Sequence, residues 1–514
     1  MFRWKRLAAG AAVVGLGLTG CAGSGGGGGT GGTGGATSGG DLVLGAALPP
    51  ATYQASEARW ANESPYMQAV YDTLLHATPE DHSPVAWLAT EWTYNDDKTE
   101  LTLKLRDDVT FSDGEKFDAD AAKQNLDRFK DGTAPDASRF ARVESFEAVD
   151  ATTLKITLAE PDPSLLVSLA QAPGLMESPA AFDNPDVKTN PIGSGPYILD
   201  TKATVNGSKY VYSKNPDYFA PEQQYFDKLT INVLATPQTQ VNAVRGKQVD
   251  GLNIIDPASI AQVKSGGYQV VQQELDWAGI ALLDRAGKDT PALKDVKVRQ
   301  AINYAVDRAA VLKAAAKDQG TVTSSVFGTY SIGYDETLDS YYTFDPAKAK
   351  QLLAEAGYSN FTLKMPRVAG FGDVANNLVQ KYLGDVGIKV EFTTVPIANV
   401  IADVLAPKYS ASHFTLQTDV DAFQASTFLL TSGATFNPYK VEDAKIEELT
   451  KSIQTGDEAA ATAAAKELNR YVVENAIHAP FYRQKNSFGF APDLTAQSQA
   501  GNAYPYLYNI KPKG

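Results

Sequence analysis

Between Val70 and Phe117 the chain alternates apolar and polar residues in a way few local structures accept. Val70-Tyr71-Asp72-Thr73-Leu74-Leu75 reads as an apolar helical turn that gives way to a polar loop carrying Pro79 and Pro84. Ala86-Trp87-Leu88-Ala89 leads to Trp92. Leu101, Leu103 and Leu105 then alternate with polar residues, the period of two expected of a half-buried strand. Ser112-Asp113-Gly114 supplies a tight turn, with glycine free to take a positive φ. Asp118 is placed to cap a helix beginning at Ala119, whose Ala122, Leu126 and Phe129 share one face.

At 514 residues the chain exceeds what one hydrophobic core serves, so two or three domains are expected. The formal charge of −14 and pI near 4.9 disfavour nucleic acid and anionic membrane surfaces as partners, since both repel such a chain at long range. With Cys21 as the one cysteine, no intrachain disulfide can form and a thiolate zinc site lacks its ligands. The four histidines, His76, His82, His413 and His478, show no i, i+4 pair. Neither a metal nor a cofactor is expected.

Arg3, Lys5 and Arg6 precede an uncharged apolar run from Leu7 to Leu18. As a helix this run would reach about 18 Å, short of the ~30 Å hydrocarbon core, so it reads as a signal peptide over residues 1–20. Leu18-Thr19-Gly20-Cys21 is similar to a lipobox, which implies acylation of Cys21 and a membrane anchor. Residues 21–40 are then a lipidated cysteine and a Gly-rich tether with a reach on the order of 20–25 Å. Gly15, Gly17 and Gly20 match GxGxxG, but they precede the folded region and follow no strand, so they carry no dinucleotide site.

Further along, Leu42 to Ala46 reads as the first strand, Ser145–Val149 and Thr153–Leu158 as a second hairpin, and Leu165–Leu169 as a short helix. A helix is expected from Gln240, ending at Gly246, and a strand from Trp277 to Leu283. Val298, Ile302, Ala305 and Val306 repeat at helical spacing, and Asp345-Pro346 starts another helix. Taken in order, the YDTLL turn, Pro84 to Trp92, the LRDDVTFSDG hairpin, Ser194-Gly195-Pro196-Tyr197 and the VRQAINYAVDR helix resemble the oligopeptide, dipeptide and nickel family of ABC-importer substrate-binding proteins. The resemblance implies an α/β fold of two lobes, the type II periplasmic-binding-protein-like architecture, with an extra inserted domain. Lobe 1 would comprise 41–75, 190–275 and 480–514, the insertion 76–189, and lobe 2 residues 276–479, with crossings near 276 and 480.

No GxSxG, HExxH or GxxxxGK(S/T) motif occurs, so an enzyme is not expected. The resemblance implies capture of a small solute, a short peptide foremost, and delivery to ABC permease and ATPase subunits by a monomeric lipoprotein outside the cytoplasm. An oligosaccharide or nickel–chelate receptor is the alternative within the family; a secreted hydrolase is the alternative from another class. Candidate solute contacts are Tyr53 and Trp60 in the loop after the first strand, Trp277 at the crossing, and Gln417, Asp419, Asp421, Phe436 and Asn437 in the second lobe. Asp419 best matches the aspartate that pairs with a peptide ammonium in relatives, and Asp421 is second. The tryptophan usual before that aspartate and the Asp-Pro usual after it are missing here.

Overall fold

The computed structural model describes residues 39–513 except 370–371, 397–398 and 418–420. Cys21, the tether up to residue 38 and Asp419 lie outside the described residues. Nine strands form the central sheet: β1 (Asp41–Ala46), β2 (Tyr197–Leu199), β3 (Lys209–Lys214), β4 (Lys228–Val233), β5 (Gly251–Asn253), β6 (Gln269–Leu282), β7 (Gly320–Val322), β8 (Ala411–Gln417) and β9 (Ala479–Phe490). Across the sheet they run β8–β6–β9–β5–β1–β4–β3–β2, with β7 on the outer edge of β9. β1 is parallel to β4 and β5, while β6, β8 and β9 pair antiparallel.

β6 and β9 are long enough to serve two cores. Val271 and Leu275 of β6, with Phe488 and Phe490 of β9, pack with the apolar residues of 42–176, 197–231 and 494–510. Further along the same strands, Ala278, Ile280 and Leu282 join Ala479 and Phe481 in a core built from 292–390. A neighbouring core takes Trp277, Leu416, Phe423 and Leu468. The two-lobed α/β body thus follows from two strands whose apolar surface is shared between separate cores.

Local chemistry sets the elements. Leu101, Leu103 and Leu105 are buried in a four-stranded antiparallel sheet made of 89–94, 100–105, 153–158 and 143–150. Asp118 accepts the Ala121 amide at 2.9 Å and caps helix 119–130, whose Ala122, Leu126 and Phe129 are buried.

The expected helical turn at Val70–Leu75 is corrected: the helix is Ser64–Val70, and Leu75–Ala77 is a strand. Gly193 and Gly195 lie against the end of that helix, where a Cβ would meet the Val70 backbone at 2.2 and 2.5 Å. The Gly195 amide donates to the Val70 carbonyl at 3.1 Å, so Val70 bonds outward instead of continuing the helix. The helix expected from Gln240 begins at Pro237, because Thr236 caps it and proline suits its first turn. The strand expected from Trp277 begins at Gln269.

Candidate functional site

A polar ledge runs along β6 and β8. Their register pairs Asp276 with Gln417, Ala278 with Thr415 and Ile280 with His413, and paired residues share a face. On the opposite face, Trp277, Phe414 and Leu416 pack toward the neighbouring core. The ledge grades from apolar, at Ile280 and Leu282, to polar, at Gln417 and Asp276. Gln484 of β9 stands beside Asp276 on its other flank. At the polar end Gln417 Nε2 donates to the Gly501 carbonyl of the returning C-terminal segment at 3.2 Å. Asp276 remains partly accessible to water; burial alone pushes its carboxyl up to about 6.

The loop at 499–503 is held from many sides. Gln273 of β6 donates to the Gln499 and Asn502 carbonyls, and Asn502 Nδ2 donates to Ser64 Oγ at 2.8 Å. The Ala500 amide donates to Pro79 O at 2.9 Å, and the His82 ring lies 2.8 Å from the Ala500 carbonyl. Trp60 Nε1 donates to Tyr506 Oη at 3.2 Å just beyond the loop. Fixed in this way, the loop presents Gly501 to the ledge.

A second contact closes the seam between the 137–168 region and the helix Ala422–Leu429. The Asp421 carboxylate caps this helix by accepting the Gln424 amide at 2.9 Å, and accepts Ser164 Oγ at 2.9 Å. Arg142 lies 4.6 Å over the Phe423 ring and pairs with Glu160 at 3.0 Å. Lys451 reaches Glu160 at 3.4 Å, and Gln454 donates to Pro161 O at 2.8 Å. Between these contacts lies an opening of about 250 Å³ lined by Arg139, Arg142, Asp162, Phe423, Gln424 and Thr427. Burial raises both the Asp162 carboxyl, to about 6, and the Asp421 carboxyl; the charge of Arg139 opposes both shifts.

Of the residues singled out from sequence, Gln417 stands on the ledge and Asp421 in the seam. Trp60 supports the returning segment. Tyr53 is buried with its hydroxyl against that of Tyr212. Trp277 is 0% exposed and faces away from the ledge, so direct solute contact through its indole is corrected to a packing role. Phe436 packs edge-on to Phe428. Asn437, 1% exposed, is corrected likewise: its amide donates to Thr431 O and Val441 O and accepts the Val441 amide, bracing one loop.

Sequence reasoning missed Asp276, Ser164, Arg139, Arg142 and the 499–503 loop. A signal for the first was present: an acid directly ahead of the apolar run Trp277–Leu283. His82 and His478 are buried and His76 and His413 partly so, each apart from the others; this burial pushes His76 down to about 3, His82 to about 4, His413 to about 4 and His478 to about 3. Among the described residues no group of three or more His, Cys, Asp or Glu could hold a metal ion.

Residues 83–438 match the family described as bacterial extracellular solute-binding proteins, family 5 Middle. The chain belongs to this family. The glutathione-binding protein GsiB of Escherichia coli (strain K12) is 30% identical over 329 residues, 62% of each chain. The chain is thus matched over about 62% of the length of its curated relatives. NikA from Brucella suis in complex with Fe(III)-EDTA superposes with a TM-score of 0.78 at 23% identity, covering 92% of this chain and 100% of that one. DppA from Helicobacter pylori in complex with peptide STSA gives 0.77 at 18% identity, covering 93% and 99%. These likenesses establish the type II periplasmic-binding-protein fold.

Proposed function

We propose that this family 5 protein is the extracytoplasmic solute-binding component of an ABC importer, enclosing a short peptide between its lobes and releasing it unchanged to permease and ATPase subunits. The observation that carries the reading is a pair of contacts made by the 276–479 segment, Gln417 to the returning C-terminal loop and Asp421 to Ser164 of the insertion, the second bordering a polar opening of about 250 Å³. Hinge closure over that space would strip water from a solute and strengthen each polar contact to it. GsiB, named for glutathione binding, and DppA, solved with a peptide, support a peptide as the solute. In this reading Asp419 pairs with the peptide ammonium. Residues 41–75, 190–275 and 480–514 form the first lobe, 276–479 the second and 76–189 the insertion. The protein works as a monomer tethered through acylated Cys21, and among the described residues no helix is long and apolar enough to cross a membrane.

Native mass spectrometry of the purified protein tests the solute class: a retained peptide is expected, and a retained sugar or metal chelate would overturn it. Asp419→Ala should weaken peptide binding on the order of tenfold or more. Unchanged affinity would remove Asp419 from the site.

A further inference from the structure

Among the described residues the buried carboxylates each take at least one hydrogen-bond donor, although one oxygen of Asp72 and one of Glu177 stay unanswered. Asp72 takes Trp87 Nε1 at 2.8 Å and Tyr218 Oη at 3.0 Å. Asp284 takes the amides of Lys288, Asp289 and Thr290. Glu177 takes the Ala55 amide, Asp162 that of Ser164, and Asp421 the two donors already described. Glu274, two residues from Asp276, is taken by Arg483 at 2.5 Å.

Asp276 differs. Its carboxylate makes no hydrogen bond or ion pair with the described residues, and burial is the one influence shifting its proton affinity. Its strand neighbours on the two sides are Gln417 and Gln484, neither of them charged. Half-burying a carboxylate that only water answers is costly, and no protein donor offsets that cost at this position. It stands at the polar end of the ledge, beside the residue that reaches across to Gly501, with water still touching it.

We propose that Asp276 determines specificity by receiving a cationic group of the solute, a primary ammonium or a guanidinium, as the lobes close. The inference rests on reading the ledge as the solute site. A charge-assisted contact in a closed cleft discriminates strongly against a neutral isostere, because the neutral solute leaves the carboxylate unanswered. With Asp419 assigned the terminal ammonium, the group expected at Asp276 is a basic side chain; if the test returns the terminus instead, Asp276 takes the role assigned to Asp419.

Calorimetric titration would compare Ala-Lys-Ala with Ala-norleucine-Ala and with N-acetyl-Ala-Lys-Ala, using wild-type protein, Asp276→Asn and Asp276→Glu. The wild type should favour Ala-Lys-Ala at least about tenfold over one of the neutralised peptides. Loss against the norleucine peptide assigns the side chain; loss against the acetylated peptide assigns the terminus. Asp276→Asn should abolish that ratio while still binding the neutralised peptide, and Asp276→Glu should keep part of it. Equal binding of all three peptides by the wild type, or a ratio that survives in Asp276→Asn, overturns the inference and leaves the peptide reading standing. If no peptide binds, agmatine and spermidine are titrated next. Binding that Asp276→Asn abolishes upholds the inference and sinks the peptide reading; absence of binding sinks both.

Discussion

Replacing Asp276 by asparagine should make the empty protein more stable at neutral pH. The carboxyl moves from an ordinary 3.8 to about 6 on folding, with burial as its cause. Just over two units correspond to about 3 kcal/mol if the group were fully enclosed; its contact with water brings the expectation to about 1–3 kcal/mol. A carboxyl that holds its proton more tightly when folded carries no penalty below pH 4. The penalty grows as pH rises through about 6, because the folded protein must then keep a charge that the unfolded chain would hydrate freely. The wild type and Asp276→Asn should therefore melt together near pH 3.5 and diverge between pH 4 and 6.5. Above that the variant should be the more stable by a constant margin. Calorimetric melts of ligand-free protein across that range read the difference directly, and subtracting the two curves cancels the other buried carboxyls. Identical curves at every pH, or a variant less stable at pH 7.5, would refute the claim that this half-buried carboxylate has no protein partner.

Three further outcomes follow from the packing. Arg483, 1% exposed at its side chain, holds Glu274 at 2.5 Å and Asp339 at 2.6 Å, so Arg483→Met should cost about 3–5 kcal/mol in denaturant unfolding. Adding Glu274→Gln and Asp339→Asn should recover part of that loss. Ser164→Ala removes one donor to Asp421 across the seam and leaves the helix cap in place; solute dissociation should quicken roughly fivefold, about 1 kcal/mol, with the melting temperature unchanged. Trp277→Ala should destabilise by about 3–5 kcal/mol, as expected of a fully buried indole, rather than act as a simple loss of affinity in a stable protein.

The parts legible in the sequence were those that local chemistry decides. Alternation at Leu101, Leu103 and Leu105 gave the strand, and Asp118 ahead of an amphipathic run gave the capped helix, because burial and capping act within a few residues. The end of the first helix was misread because its cause is distant in sequence: Gly193 and Gly195 approach Val70, and the Gly195 amide takes its carbonyl. Trp277 and Asp276 show the same limit at the site. Adjacent residues on a strand face opposite ways, and only the pairing with Leu416 and Gln417 reveals which is fully packed and which keeps contact with water. An aromatic at a crossing drew attention; the acid beside it holds the polar end of the ledge. Asn437 read as a contact because Phe436-Asn437 resembles the family's downstream asparagine element, whereas its three bonds to its own loop depend on the turn that follows.

Small-angle X-ray scattering, with and without the solute identified by native mass spectrometry, tests the central claim that the lobes close over an unaltered cargo. A smaller radius of gyration in the loaded protein, with the solute recovered at its original mass, is the predicted result. An unchanged scattering curve on saturation, or a solute recovered in cleaved form, would contradict it.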